Sequence, residues 1–337
     1  MKRIAYEEMK RQFARVLESR GFNAEDARSA GEIFAQNSLA GVYSHGLNRF
    51  PRVVEYLDKG EIDPNARATC VMRMGAIERW DGHRGFGPLN AWRAMERACA
   101  LAKEYGVGVV ALGNNNHWMR GGTYGLYVAR KGYVAIMWTN TEACMPPWGA
   151  KECRLGNNPF VLACPGVENG PALQLDMAIS QYAYGKLQVT RLAGKKLPFP
   201  GGFDKDGNIT DDPGAIEESM RIMPIGYWKG SSFSFMLDVL GSILTDGVGA
   251  VDLDAATKGS CGGCSQVMIV IDPSRITDGA KMHETVRRAI EYIKSAELAE
   301  KSTGVMAPGE DYIQFNKDHD ANGIFVDDTV WAEIKAL

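Results

Sequence analysis

An α+β fold with a helical N-terminal lobe is what the sequence predicts, on three observations. Apolar residues recur at helical spacing from the start of the chain to Gly60. From Thr69 onward, short apolar runs of strand length are interspersed with further helical patterns. A chain of 337 residues also exceeds one comfortable hydrophobic core, so more than one lobe is expected. The natural divisions are a helical lobe over 1–68, an α+β domain over 69–280, and a C-terminal helical segment over 281–337 that packs on the others.

Each element follows from local pattern. Ile4, Met9, Phe13, Val16 and Leu17 share one face of a helix over 4–20, which Gly21 stops. Asn23 caps a second helix over 24–40. Pro51 fits the first turn of a third, running to Leu57 and closed by Lys59 and Gly60. Residues 70–80 read as a strand, 88–105 as a strong helix, and 107–112 as a short buried strand. A helix over 123–131 and a strand over 133–139 come next. Residues 160–164 and 173–177 are further strands, and 182–193 returns to helix. The Gly-, Pro- and Asp-rich stretch 198–212 reads as a long surface loop. An apolar helix over 232–244 has Ser231 or Ser232 as its cap. A strand over 267–271, a long amphipathic helix over 280–300 and a last helix over 328–335 complete the chain. No internal repeat or low-complexity segment is present.

Composition narrows the function. Apolar residues make up 45% and charged residues 23% of the chain, ordinary for a soluble globular protein. A net charge of −3 and the lack of a basic stripe argue against nucleic acid as a partner. No apolar run approaches the ~18–20 residues of a membrane span, and the N-terminus has no signal-peptide core. No membrane partner is expected, and the cytoplasm is the default compartment. Seven cysteines, an odd number, are scattered. Only Cys261 and Cys264 have suggestive spacing, and neither a second pair nor a nearby histidine pair completes a zinc site. No metal is expected; the pair reads as a glycine-rich loop with two thiols.

The turn at Gly85, Phe86 and Gly87 looks like a dinucleotide fingerprint and fails in detail. Asn90 stands where the third glycine belongs, and Glu104 lies inside a helix rather than at a strand end. Lys229, Gly230 and Ser231 lack the Walker spacing. They can still present backbone N–H groups and a lysine to a phosphate at a helix start, or form a plain capped turn.

The run 42–51 is the most informative. It places His45 four residues before Arg49, so on a helix the two share a face, with Arg52 one turn further. An imidazole can protonate an oxygen as hydride reaches carbon, and a guanidinium can grip a carboxylate with two hydrogen bonds. These are the needs of a 2-oxo acid reductase. A histidine bonded to backbone at a helix start is the competing reading. His117 follows three asparagines after a buried strand and can either bond a substrate or pair with a loop carbonyl. Arg120, beside two glycines, can bind an anion or sit in solvent. Asp176 ends an apolar strand, where a carboxylate is costly to bury without a partner. It can accept a hydrogen bond from an imidazole or cap the next segment. Residues 145–149, Met-Pro-Pro-Trp-Gly, are stiff and apolar and can wall a pocket or form a contact between chains. His83, His283 and His319 read as a turn, an exposed helix face and an acidic loop.

Five separated strings then combine. They are Ser44-His45-Gly46 with Arg49; residues 116–122; residues 145–150 with 154–159; residues 175–180; and residues 226–231. Together they resemble the malate/L-lactate dehydrogenase family that does not use a Rossmann fold, across essentially the whole chain. The resemblance implies an L-sulfolactate/malate dehydrogenase-like α+β fold with a mixed-sheet cofactor lobe, a homodimer, and reduction of a 2-oxo acid with NAD(P)H. By motif, His45 would be the proton donor and Arg49 the carboxylate clamp, with Asp176 and His117 completing the catalytic set. Ala172, Leu173, Gln174, Leu175, Asp176, Met177 and Ala178 would line the cofactor, with Trp228, Lys229, Pro308, Gly309 and Glu310. Glu310 could accept ribose hydroxyls, which favours NADH over NADPH by repelling the 2′-phosphate. The asparagines at 114–116 and residues 139–141 offer polar lining for a polyhydroxylated acid. Malate, lactate, ureidoglycolate or a cyclic imino acid are the alternative substrates. A non-catalytic dimeric nucleotide-binding protein is the alternative of another class.

Overall fold

The computed structural model describes residues 2–255, 262–300 and 302–337. The chain begins with β1 (Lys2–Ile4), α1 (Tyr6–Glu18) and α2 (Ala24–Leu39). The first helix starts two residues later than its apolar pattern implies, because Ile4 is drawn into an antiparallel pair with Ile324. Asn23 caps α2 as expected, its side chain accepting from the backbone N–H of Glu25 and Asp26. Two short 3₁₀ turns, Tyr43–His45 and Leu47–Arg49, then lead into α3 (Phe50–Asp58), with Pro51 in its first turn. His45 and Arg49 therefore do not share one helix face. A break at Gly46 separates them, and folding brings them together by another route.

The mixed part follows with β2 (Thr69–Met74), β3 (Ile77–Asp81), α4 (Gly87–Tyr105), β4 (Val107–Asn115), α5 (Gly121–Arg130) and β5 (Val134–Thr139). Next come β6 (Ala143–Met145), β7 (Leu155–Gly156), β8 (Phe160–Cys164), β9 (Leu173–Met177), α6 (Tyr184–Leu192), β10 (Gly202–Phe203), β11 (Ile209–Thr210) and α7 (Pro213–Ser219). The chain ends with α8 (Trp228–Thr245), α9 (Ala250–Ala255), β12 (Cys264–Ile271), α10 (Gly279–Lys294), α11 (Glu310–Asn322), β13 (Ile324–Val326) and α12 (Asp328–Ala336).

Seven strands form the main sheet in the order β2-β3-β4-β12-β5-β8-β9. Only β3 and β4 run parallel; every other neighbouring pair is antiparallel. A Rossmann sheet is parallel throughout its nucleotide-binding half, so the glycines at 85 and 87 serve another purpose. A Cβ on Gly87 would lie 2.3 Å from the carbonyl oxygens of Asn116 and His117. Glycine lets the start of α4 lie directly against the loop that carries His117.

Four apolar clusters hold the described residues together, the smallest made of Leu187, Leu197, Ile216 and Ile222. Phe13, Phe34 and Phe50 stack within the first, with ring centroids 4.3 to 6.0 Å apart. That cluster also takes in Ile324, Val326, Trp331 and Ile334 from the C-terminal end. The second lies between α4, α5 and the sheet, and the third joins Trp138, Met145, Ile179, Leu237 and Val267.

Several sequence expectations are corrected. Residues 70–80 form a hairpin rather than one strand, turning at Gly75 with φ +55°. The surface loop over 198–212 contains the paired strands β10 and β11. The apolar helix α8 starts at Trp228, a turn earlier than its serines imply, and α10 ends at Lys294 rather than 300. Helix α11 carries few apolar residues and gave no periodic signal. It also makes His319 a buried helix residue bonded to Leu39 O and Tyr43 Oη, not part of an acidic loop. Cys261 lies outside the described residues; Cys264 is buried in β12, and burial pushes its thiol up to about 11. No helix among the described residues is long and apolar enough to cross a membrane.

Candidate active site

The two 3₁₀ turns after α2 are fixed from behind. Asn37, fully buried, donates from Nδ2 to His45 O at 2.8 Å and accepts at Oδ1 from Thr123 Oγ1 at 2.5 Å. Ser38 Oγ accepts from Leu47 N at 2.8 Å. A Cβ on Gly46 would stand 2.3 Å from Ser38 Oγ and 3.0 Å from Phe34 O, so only glycine lets the turn lie this close to α2. These contacts aim His45 and Arg49 at one cavity of about 600 Å³.

Ser44, His45, Arg49, Arg52 and His117 line that cavity. Its lining also includes Thr141, Glu142, Cys144, Cys153, Asn157, Ser180 and Tyr184. The two imidazoles lie near-parallel, with centroids 5.6 Å apart and 23° between planes. His45 Nδ1 sits 3.1 Å from Ser44 Oγ. Met119 N donates to His117 Nδ1 at 2.9 Å, which leaves the proton of the neutral His117 ring on Nε2.

Burial is the main reason that both rings resist protonation. It lowers His45 to about 4, with the charges of Arg49 and Arg120 adding to the effect. His117 is held well below the usual imidazole value by burial, then by Arg49, His45 and Arg52. Each ring keeps some surface open to the cavity, yet protein encloses it on the other sides.

Asp176 is placed differently from the sequence expectation. Its partner is a guanidinium, not an imidazole: Arg120 Nε donates to Oδ2 at 3.2 Å. Arg120 is buried, reaches Gln174 Oε1 at 3.4 Å, and lies 4.1 Å over the Tyr312 ring. It is thus neither a solvated loop arginine nor a free anion site. A Cβ on Gly122 would sit 2.4 Å from Asp176 Oδ2, so glycine admits the carboxylate here.

The residues named for the cofactor are brought together from three stretches. β9 is the outer strand of the sheet, and Gln174 N donates to Pro308 O at 3.2 Å. Gly309, with φ +94°, comes within 3.3 Å of Gln174 N as measured from an added Cβ. Ile225 N donates to Ile179 O at 2.9 Å, which ties the approach to α8 to the end of β9. Leu175 and Trp228 are exposed on this surface. Glu310 is ion-paired to Lys294 and accepts from Ala307 N at 2.9 Å. The phosphate-loop reading of 229–231 is corrected: the N–H groups of Lys229, Gly230 and Ser231 already bond to Gly226, Ile225 and Tyr227 carbonyls. Ser231 Oγ accepts from Trp148 N at 3.0 Å instead of capping the helix. Met145 is in the core, and exposed Trp148 packs against Tyr227.

Of the polar segments expected to line a pocket, Thr141 lines the cavity of His45, and Asn116 lines a smaller one beside Arg49 and His117. Asn115 bonds Gln266, Asn116 bonds the carbonyls of Arg84 and Gly85, and Asn140 bonds Asp238 and Val248. They build the fold around the cavity. Asn157, Ser180 and Tyr184 were missed as site residues. Two stood inside the strings that carried the family resemblance, but nothing local distinguished their roles.

The malate/L-lactate dehydrogenase family model matches residues 4–335. The chain is 45% identical to 2,3-diketo-L-gulonate reductase of Citrobacter koseri, over 99% of its own length and 100% of the relative's. Among solved structures it is similar to sulfolactate dehydrogenase from Methanocaldococcus jannaschii, at TM-score 0.91 and 30% identity, covering 99% and 96% of the two chains. Malate dehydrogenase from Pyrococcus horikoshii OT3 aligns at TM-score 0.88 and 25% identity, covering 98% and 93%.

A histidine with a depressed folded-state pKa stabilises the fold fully above its unfolded value of about 6.5. That contribution is lost as pH falls toward the folded value of about 4, because the unfolded chain takes up the proton first. Urea midpoints at pH 7 and pH 4.5 should therefore drop further for the native chain than for His45→Gln. Parallel losses would show that the ring is not held neutral.

Proposed function

The chain belongs to the malate/L-lactate dehydrogenase family, oxidoreductases acting on CH–OH groups, and from that premise we propose that it reduces a 2-oxo acid to the 2-hydroxy acid, with 2,3-diketo-L-gulonate as substrate. The observation that carries this reading is the shared cavity of His45, Arg49 and His117. Its volume of about 600 Å³ leaves room for a six-carbon acid. The full-length likeness to reductases named for that substrate supports the choice.

The residues fit a nicotinamide dinucleotide. Strand β9, the turn at 308–310 and the approach to α8 are tied together by backbone hydrogen bonds, and exposed Leu175 and Trp228 offer apolar contact. Bound there, the reduced nicotinamide supplies the hydride for the carbonyl carbon. Arg49 holds the substrate carboxylate by a two-pronged hydrogen bond. His117 presents a neutral Nε2–H to the substrate. His45 delivers a proton to the carbonyl oxygen. Before it can do so, the neutral ring must be protonated. A carboxylate on Arg49 offsets one of the charges that depress His45, so substrate binding and proton uptake go together. Asp176 acts through Arg120, neutralising a charge that would otherwise bear harder on His45.

Glu310 favours NADH over NADPH, its carboxylate repelling a 2′-phosphate, although the ion pair with Lys294 blunts the effect. The enzyme works as a homodimer. Phe235, Met236, Leu240, Ile243 and Leu244 leave an exposed apolar face on α8, of the kind a second copy covers.

Three outcomes are expected. His45→Ala should lower kcat for 2,3-diketo-L-gulonate by about 10²-fold or more, with cofactor Kd changed far less; near-native kcat would remove His45 from the mechanism. Glu310→Ala should narrow the NADH-to-NADPH ratio of kcat/KM, and an unchanged ratio would discard the residue as the discriminator. Sedimentation equilibrium should give twice the 36.9 kDa chain mass, whereas a monomer at micromolar concentration would contradict the dimer.

A further inference from the structure

The cavity lining also contains a small polar arrangement to which the proposed reduction gives no role. Asn157 and Asn158 are sequence neighbours with different tasks. Asn158 is fully buried: its Oδ1 accepts from Thr141 N at 2.9 Å, and its Nδ2 donates to Ser234 O at 2.8 Å. Asn157 lines the cavity. Its backbone N donates to Thr141 Oγ1 at 3.0 Å, and its Oδ1 accepts the Thr141 hydroxyl at 3.0 Å. The Thr141 hydroxyl, which also reaches Glu142 O at 3.2 Å, holds one end of the carboxamide and leaves the other end to the cavity. The Nδ2 group is left with two hydrogens and no protein partner among the described residues.

Ser180 stands beside it. Ile179 N donates to Asn157 O at 2.7 Å, which sets the next residue against Asn157. Ser180 is buried, lines the same cavity, and spends its single hydroxyl proton on Tyr182 O at 2.9 Å. What Ser180 Oγ still offers is lone pairs. An amide end and an acceptor oxygen thus share the lining of one cavity. An alcohol is the small group that can accept from one and donate to the other at once. A methylene does neither, and it would leave both groups desolvated without partners.

We propose that Asn157 and Ser180 form a subsite that selects a hydroxyl on the substrate's carbon chain, making the enzyme specific for polyhydroxylated acids. The inference rests on the reductase reading for seating the acid end at His45 and Arg49, and it deepens that reading by assigning two residues to the chain hydroxyls. Discrimination of this kind is strong, because a site built to hydrogen-bond a hydroxyl rejects the analogue that lacks it.

The test compares L-gulonate with hexanoate, which share chain length and a carboxylate and differ in their hydroxyl groups. Calorimetric titration of the full chain needs no turnover. The native protein should bind L-gulonate at least about tenfold more tightly, and that ratio should collapse by a similar factor in Asn157→Leu and in Ser180→Ala. Reading a ratio within each variant removes the effect of any unfolded fraction, and the second variant covers failure of the first to fold. A native protein without preference, or variants that keep the native ratio, would overturn the subsite. If the ratio collapses as predicted while the native enzyme oxidises neither NADH nor NADPH with 2,3-diketo-L-gulonate, the functional reading falls and the subsite stands.

Discussion

The apposition of a neutral, enclosed imidazole and a guanidinium at the break between two 3₁₀ turns is the constraint on which the rest of the site depends. Unassisted, the two groups oppose each other: the charge of Arg49 adds to burial in holding His45 near 4. An anion between them changes the balance. On the proposed reading, a substrate carboxylate on Arg49 removes one of the influences that oppose a proton on His45. Protein packing maintains this arrangement. Asn37 grips the His45 carbonyl, Ser38 grips Leu47, and Gly46 permits the contact with α2. The phenylalanine cluster beneath holds α2 against α1 and α3.

A mixed sheet carries the proposed cofactor surface. In a doubly wound sheet the nucleotide sits at the carboxyl ends of parallel strands. Here the proposed surface is an outer strand, β9, joined by the turn at 308–310 and the approach to α8. Asp176 on that strand pairs with Arg120 at the start of α5, the guanidinium buried and the carboxylate half-buried, and Arg120 also bears on His45. A buried ion pair is a weak source of stability, and positioning is its better-supported use. Arg120 also lies over Tyr312 of α11, so the C-terminal region contributes to the same junction.

Much of this was legible in the chain. Helices with a strong apolar face or a clear cap, such as α2 and α4, were found nearly to the residue. Those defined by distant partners were not: β1 forms only because Ile324 is there to pair with it, and α11 has no apolar periodicity of its own. The residues of the site were legible as types at a spacing, although the spacing misled about geometry. His45 and Arg49 are four apart, yet Gly46 breaks the helix that this implies. Asp176 was recognised as a carboxylate needing a partner, but only the folded structure could supply Arg120. The asparagines invited a functional reading and proved structural, while Asn157, in a run of similar residues, faces the cavity. Burial and direction, which one-dimensional pattern does not carry for loops, made that difference.

The most direct measurement is an NMR titration of the His45 ring in the free protein and in the protein saturated with oxamate, a carboxylate that is not reduced. The account predicts a ring titrating near 4 when free, and an upward shift of about one unit or more once the anion occupies Arg49. A ring with an ordinary value when free, or one unmoved by saturating anion, would contradict it.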